Sequence, residues 1–133
     1  MLVYRIETST GCGAFGAGLA VAHDQQVPGD LYRSSYDGPS ATGESLQGYP
    51  AIKNALRDRP RAEWRFGAKS LGQLREWFFS PAGCTAMGKR GGLLVTYEVP
   101  DEHVAIGLQQ LVFDRDHATK VSEVDAGCLH LEF

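Results

Sequence analysis

Alternating apolar and polar residues predict three β-strands in this chain. Leu2–Glu7 alternates with period two, and Leu93–Val99 and Leu108–Asp114 do the same, which is typical of strands with one buried face. Two other short segments have weaker signals. Val104–Ile106 is too short to assign, and a last short strand is predicted from the apolar residues at 121–124 and 128–133.

The stretch that contains both tryptophans predicts the main helix. Ser70 and Gln73 have the spacing of a capping box, in which each side chain satisfies a backbone N–H at the helix start. Ser80-Pro81 ends the helix, because proline disfavours α geometry in the residue before it. The apolar stripe of this helix has four residues at helical spacing: Leu71, Leu74, Trp77 and Phe78.

Glycine and proline separate these elements. Pro50 suits the first turn of a short helix that runs to about Arg57. Glycine-rich sequence predicts a connection at residues 8–18 and a second flexible stretch at 83–92. Residues 24–49 predict a long irregular loop, and loops of that length are often functional.

Element order and composition together predict the fold class. Strand, loop, helices and strands in that order indicate an α+β fold, with a mainly antiparallel sheet, two short-to-medium helices and long loops. The 133 residues suit one domain, 1–133, and the 43% hydrophobic and 22% charged residues are ordinary for a soluble protein. No apolar run reaches the roughly 18 residues of a membrane span. The start at Met1 shows no signal-peptide pattern, and three widely spaced cysteines predict no disulfide framework. We therefore expect a cytoplasmic protein with no membrane partner.

Charge is distributed unevenly along the chain. The formal net charge of −3 disfavours direct nucleic-acid binding. Residues 53–75 contain seven basic and two acidic side chains, whereas residues 98–133 contain eight acidic and two basic ones. These segments either form solvated faces that attract each other within the fold, or the acidic one meets a basic partner. In the second case the predicted partner-binding residues are Asp114, Asp116, Glu123 and Asp125.

Other candidate sites have a structural interpretation that we favour. Gly11–Gly16 matches the glycine pattern of dinucleotide-binding loops, but its context predicts a flexible turn. The four histidines are scattered, so loop or surface positions are expected and no metal site is predicted. Cys12 and Cys84 are expected to be buried or incidental thiols. The aromatic residues between 64 and 79 are expected in the core, with a stacking platform for single-stranded nucleic acid as the alternative.

Three motifs resemble small uncharacterised proteins encoded by bacteriophages and prophages. They are Val3-Tyr4-Arg5-Ile6-Glu7, then Phe66-Gly67-x-Lys69-Ser70-Leu71-x-Gln73-Leu74-x-x-Trp77-Phe78, and finally Tyr97-Glu98-Val99 with Gln110-x-Val112-Phe113. By analogy with other phage accessory proteins, the resemblance implies a protein that binds and inhibits a host bacterial protein or complex. The target would be a defence system such as CRISPR–Cas, as for an anti-CRISPR inhibitor. A phage structural or assembly component is the alternative.

The layout also resembles, more faintly, ADP-ribosyltransferase-like folds. The Tyr-Arg first strand, the aromatic residue and Ser70 before a helix, and the strand Leu94-Val95-Thr96-Tyr97-Glu98-Val99-Pro100 carry this resemblance. It implies a mono-ADP-ribosyltransferase with NAD as cofactor. Arg5 would hold the dinucleotide, Ser70 would support it, and Glu98 would bond the ribose, with Glu102 or Gln110 as alternatives. If the protein is not an enzyme, no cofactor is expected and Arg5 forms a structural ion pair within the sheet.

Overall fold

The computed structural model describes residues 1–27 and 48–131. The strands in these ranges are β1 Leu2–Glu7, β2 Trp64–Gly67, β3 Leu93–Glu98, β4 Val104–Ile106, β5 Leu111–Asp114 and β6 Thr119–Asp125. The α-helices are α1 Leu19–Asp24, α2 Ala51–Asp58, α3 Leu71–Trp77 and α4 Pro81–Lys89. Short 3₁₀ helices span Asp101–His103, Arg115–His117 and Ala126–His130. Most of the predicted loop at 24–49 lies outside the described residues.

The strands form two antiparallel sheets of three strands each, ordered β1-β3-β6 and β2-β5-β4. A single bridge joins the sheets, in which the backbone N–H groups of Tyr4 and Ala68 each donate to the other residue's carbonyl oxygen, at 2.9 and 2.8 Å. The predicted α+β class and antiparallel pairing are confirmed, with two small sheets in place of one.

The sheet β1-β3-β6 separates two hydrophobic clusters. Because side chains alternate along a strand, Ile6 and Leu94 lie on one face and pack with residues of α1, α3 and α4. On the other face, Val3, Val95 and Tyr97 pack against β5. The strand β3 is therefore the central strand between the two clusters, whereas β6 is an outer strand of the sheet.

Local signals position α3 as the sequence predicts. Ser70 accepts a hydrogen bond from the backbone N–H of Gln73 at 3.0 Å. The Gln73 side chain accepts from the N–H of Lys69 at 2.9 Å, one residue before the expected donor. The helix ends at Trp77, so the stop before Pro81 is confirmed.

The glycine-rich stretch at 83–92 is not a flexible segment, because most of it belongs to α4. Pro81 ends one helix and begins the next, since its fixed φ and missing N–H suit a first helical turn. Ser80 caps α4 by accepting from the N–H of Gly83 at 3.0 Å. The helix contacts α1 and the last 3₁₀ helix, so packing stabilises a sequence with poor helix propensity.

Other element boundaries differ from the expectations by a few residues. The strand β5 begins at Leu111 instead of Leu108. The last strand is β6, at Thr119–Asp125, and Ala126–His130 is a 3₁₀ helix. The unassigned segment Val104–Ile106 is the strand β4. Within the described residues, no helix is both long and apolar enough to cross a membrane.

Candidate functional site

The guanidinium group of Arg5 is held inside the protein by three groups. Its Nε atom lies 2.9 Å from Oε2 of Glu7. Its Nη1 atom donates to the carbonyl oxygen of Phe66 at 3.0 Å, and Nη2 donates to that of Gly11 at 3.5 Å. Burial lowers the pKa of Arg5, while the negative charge of Glu7 opposes this effect. Arg5 thus forms an ion pair with a residue of its own strand.

Glu7 connects Arg5 to a wider buried network. It is 1% exposed, and the Tyr97 hydroxyl donates a hydrogen bond to its Oε1 atom. The guanidinium of Arg115 lies 4.7 Å from the centre of the Tyr97 ring, a cation–π distance. Burial, followed by the hydrogen bond to Glu7, raises the pKa of Tyr97 to about 12. The network links β1 to β3 inside the protein, and Tyr97 keeps its proton well above neutral pH.

The structure does not bring Arg5, Ser70 and Glu98 together as a transferase site would require. Ser70 Oγ caps α3. Glu98 is exposed, and its Oε1 atom lies 3.2 Å from the amino-terminal nitrogen. Arg5 pairs with Val95 in the sheet, so Glu98 is three residues further along β3, about 10 Å away, and on the opposite face. Of the two alternatives, Glu102 is exposed in a 3₁₀ helix and Gln110 is buried before β5.

The four acids predicted to bind a partner differ in exposure. Asp116, Glu123 and Asp125 are exposed, whereas Asp114 is only 7% exposed. The Oδ1 atom of Asp125 accepts from the N–H of Gly127 at 2.8 Å, which caps the last 3₁₀ helix. Glu123 forms a salt bridge of 3.0 Å with Lys120. Asp114 is therefore nearly buried, whereas the other three carboxylates lie on the protein surface.

The acidic and basic segments are not paired with each other. In residues 98–131, six acids are exposed: Glu98, Asp101, Glu102, Asp116, Glu123 and Asp125. Among the described residues, no salt bridge joins any of them to the basic segment at 53–75. There, Arg57 pairs with Asp58 and Arg65 with Glu63. Glu98 and Asp101 pair instead with the amino-terminal nitrogen, and Glu123 pairs with Lys120, so the two charged segments do not neutralise each other.

The strand β6 forms an open edge of its sheet. It pairs with β3 on one side, and no strand from the described ranges lies on the other. All seven of its residues are exposed, including Val121 at 55% and Val124 at 43%. Val121 is the extra residue of a β-bulge, because Ser122 pairs with Thr96 and Lys120 with Tyr97. By contrast, the outer edge of β1 is occupied at Tyr4 by the bridge to Ala68.

A cavity of about 250 Å³ lies beside Arg5, where the two sheets meet. Its walls are largely apolar and include Phe15, Phe66 and Trp77. Phe66 is 47% exposed and is not a core residue, in contrast to the expectation for the aromatic stretch. Phe15, an aromatic residue within the glycine-rich connection, is the sequence signal that could have indicated the cavity.

Cys84 and His23, which the sequence offers as candidate chemical groups, are both buried in the core. Cys84 is fully buried, and burial raises the pKa of its thiol to about 12, so it stays a protonated core residue. Cys12, in contrast, is exposed. His23 is fully buried, which corrects the expected loop or surface position. It accepts from the N–H of Ser80 at Nε2 and so donates through Nδ1 to Asp24, at 3.1 and 2.9 Å.

These features define a small α+β protein with a buried ion-pair network, a largely apolar cavity and, among the described strands, an exposed sheet edge at β6. Residues 1–127 match the family described as Bacteriophage T4 Y00F protein, and the chain belongs to that family. The predicted relationship to small phage proteins is thereby confirmed. A search of the curated proteins and a search of the solved structures each found no match.

Proposed function

We propose that this phage protein binds a host bacterial protein in the host cytoplasm and inhibits it. The target class is a nucleic-acid-processing defence complex, such as a CRISPR–Cas effector. The observation that supports this proposal is β6, a seven-residue edge strand whose residues are all exposed. Unpaired backbone groups along such an edge offer a template on which a strand of another protein can pair.

The side chains of β6 suit a specific contact. In β-strand addition, main-chain hydrogen bonds give affinity, and alternate side chains give specificity. Val121 and Val124 contribute exposed apolar surface near the middle and the end of the strand. The bulge and the charged side chains of Lys120 and Glu123 disfavour pairing of this edge with unrelated strands, as in other protected edge strands. The edge is therefore open to a partner with a matching strand.

The charge around β6 favours a basic partner. Asp116, Glu123 and Asp125 are exposed in this part of the chain and have no cationic partner from the basic segment at 53–75. Proteins that process nucleic acids present basic grooves for the phosphate backbone. An acidic protein docked on such a groove would exclude the nucleic acid, and charge complementarity would speed its encounter with the target.

The test is capture of the target from bacterial lysate by tagged protein, with bound proteins identified by mass spectrometry. The wild-type chain is expected to retain a stoichiometric complex with a nucleic-acid-processing protein. In the variant Val121→Lys/Val124→Lys, binding should fall by at least about tenfold, because two charges replace apolar contacts. The variant Asp116→Lys/Glu123→Lys should slow association and reduce its dependence on salt.

Matched controls separate these effects from unfolding. Val21 is 44% exposed on α1, so Val21→Lys changes a similar side chain away from β6. Asp58→Lys reverses an acid in the basic segment. Both controls should bind as the wild type does. Binding that survives the β6 variants would reject this edge. Copurification with phage particles, without a host protein, would favour an assembly component and reject inhibition.

A further inference from the structure

Two histidines and one aspartate that lie apart in the sequence meet at one end of the second sheet. His103 ends a 3₁₀ helix just before β4, and Asp114 is the last residue of β5. Because Val104 pairs with Phe113, the register places His103 beside Asp114. The 3₁₀ helix Arg115–His117 then turns the chain so that His117 also reaches the group.

The distances within this cluster are close to those of a metal site. One ligand atom from each of the three side chains lies within 4.8 Å of the other two. Nε2 of His117 is 3.8 Å from Oδ2 of Asp114. The two imidazole rings are stacked, with centroids 3.7 Å apart and planes at 1°. Sheet register and the 3₁₀ turn therefore bring the three side chains next to one another.

The surroundings leave donor atoms free for a ligand. Asp114 is nearly buried, and its Oδ1 accepts from the N–H of Asp116 at 3.1 Å, which fixes the carboxylate and leaves Oδ2 facing the histidines. Nδ1 of His103 is shielded from solvent and has no hydrogen-bond partner among the described residues. An unpaired polar atom in such a place is unfavourable unless a ligand satisfies it.

The nearest cation in the sequence is directed away from the cluster. Arg115 follows Asp114 directly, but its guanidinium lies over the Tyr97 ring at 4.7 Å. Its Nη1 atom donates to the carbonyl oxygen of Ala118 at 3.3 Å. The acids Asp101, Glu102 and Asp116 flank the two histidines along the chain. The local charge therefore favours a bound cation.

We propose that His103, Asp114 and His117 bind a divalent transition-metal ion, with Zn²⁺ as the ion tested. Two imidazoles and a carboxylate are a donor set for such ions, whereas Ca²⁺ and Mg²⁺ prefer oxygen ligands. In a tetrahedral Zn²⁺ site the ligand atoms are about 3.3 Å apart, so these atoms, which lie within 4.8 Å of one another, must move closer by up to about 1.5 Å. The His117 side chain, 51% exposed, can turn out of the ring stack to do this. The fourth position is left to water.

Calorimetric titration of the tag-free protein with ZnCl₂ at neutral pH tests the site. One Zn²⁺ per chain is expected. His117→Gln, at an exposed position, and Asp114→Asn, which keeps the Oδ1 acceptor, should each weaken binding by more than about tenfold. Co²⁺ in place of Zn²⁺ should give the visible d–d absorption of a tetrahedral site without a thiolate charge-transfer band.

Controls distinguish this cluster from adventitious binding. Asp116→Asn removes a flanking charge and no ligand, so it should weaken binding by less than about threefold. Cys12→Ser removes the exposed thiol and should keep wild-type affinity. In the wild type, ¹⁵N shifts of the His103 and His117 rings should change on Zn²⁺ addition, while those of His23 and His130 stay constant. Absence of one-to-one binding, or unchanged affinity in His117→Gln, would overturn the proposal.

Discussion

Single residues in this protein derive their roles from burial more than from residue type. Arg5, which the sequence offers as a candidate NAD-binding residue, is 5% exposed, forms an ion pair with Glu7 and donates to two backbone carbonyls. A buried ion pair is costly to break, because the remaining charge is left without compensation. The arginine is thus needed by the fold, whatever else lines the neighbouring cavity.

Replacing Arg5 by alanine should therefore reduce stability. We expect the free energy of unfolding to fall by about 3–5 kcal/mol, because Glu7 would lose its 2.9 Å contact with Arg5 and stay buried with only Tyr97 and the more distant Lys120, at 3.8 Å, beside it. Urea denaturation followed by tryptophan fluorescence measures this change. Arg65→Ala removes an exposed pair with Glu63, at 3.3 Å, and should cost less than about 1 kcal/mol. An Arg5→Ala protein as stable as this control would make Arg5 a candidate ligand-binding residue again.

At the scale of elements, α4 shows how packing overrides propensity. Glycines normally weaken a helix interior, and on this ground the sequence predicts a flexible stretch there. In the structure, Gly83 allows α4 to approach α1, because a Cβ atom on it would lie 2.8 Å from the backbone oxygen of His23. The helix forms from a capping serine, a first-turn proline and a close contact that only glycine permits.

Alanine substitution at two glycines should have opposite effects. Gly83→Ala should lower the free energy of unfolding by about 1–3 kcal/mol, because the added methyl group has no space beside His23. Gly72, in the exposed first turn of α3, would place its Cβ no nearer than 3.8 Å to Ser70 Oγ. Gly72→Ala should therefore raise stability by up to about 1 kcal/mol. Thermal melts of both variants measure the difference, and equal shifts would contradict this account of α4.

At the scale of the whole molecule, the two sheets contact each other directly. The bridge between Tyr4 and Ala68 joins them, and Val3 of the first sheet packs with Phe113 of the second. The helices cover the opposite face of β1 and β3. Since the second sheet packs its buried face on the first, we expect residues 1–133 to behave as one domain.

Unfolding should accordingly be a single cooperative transition. Tryptophan fluorescence reports on β2 and α3 through Trp64 and Trp77, while far-ultraviolet circular dichroism reports on all elements. The two urea curves should coincide. Gly67→Ala, whose Cβ would lie 2.7 Å from Val3 at the join, should lower both midpoints together. Separate transitions would show that the two sheets unfold independently.

The sequence predicted the elements whose signals are local. The strands β1 and β3 follow from period-two alternation, and the start of α3 follows from Ser70 and Gln73. It could not predict the second sheet as a separate unit, because alternation does not specify which strands pair. The cavity was missed for the same reason, since Phe15 and Phe66 come from segments about fifty residues apart.

The amino-acid sequence by itself thus determined the α+β class, the main strands and the capped helix, because each depends on residues a few positions apart. Only the tertiary structure decided that β6 has no second partner among the described strands, that Arg5 is buried, and that His103 lies beside Asp114. These features depend on sheet register and packing. Arg5 reaches a carbonyl 61 residues away, and no local pattern encodes a contact at that distance.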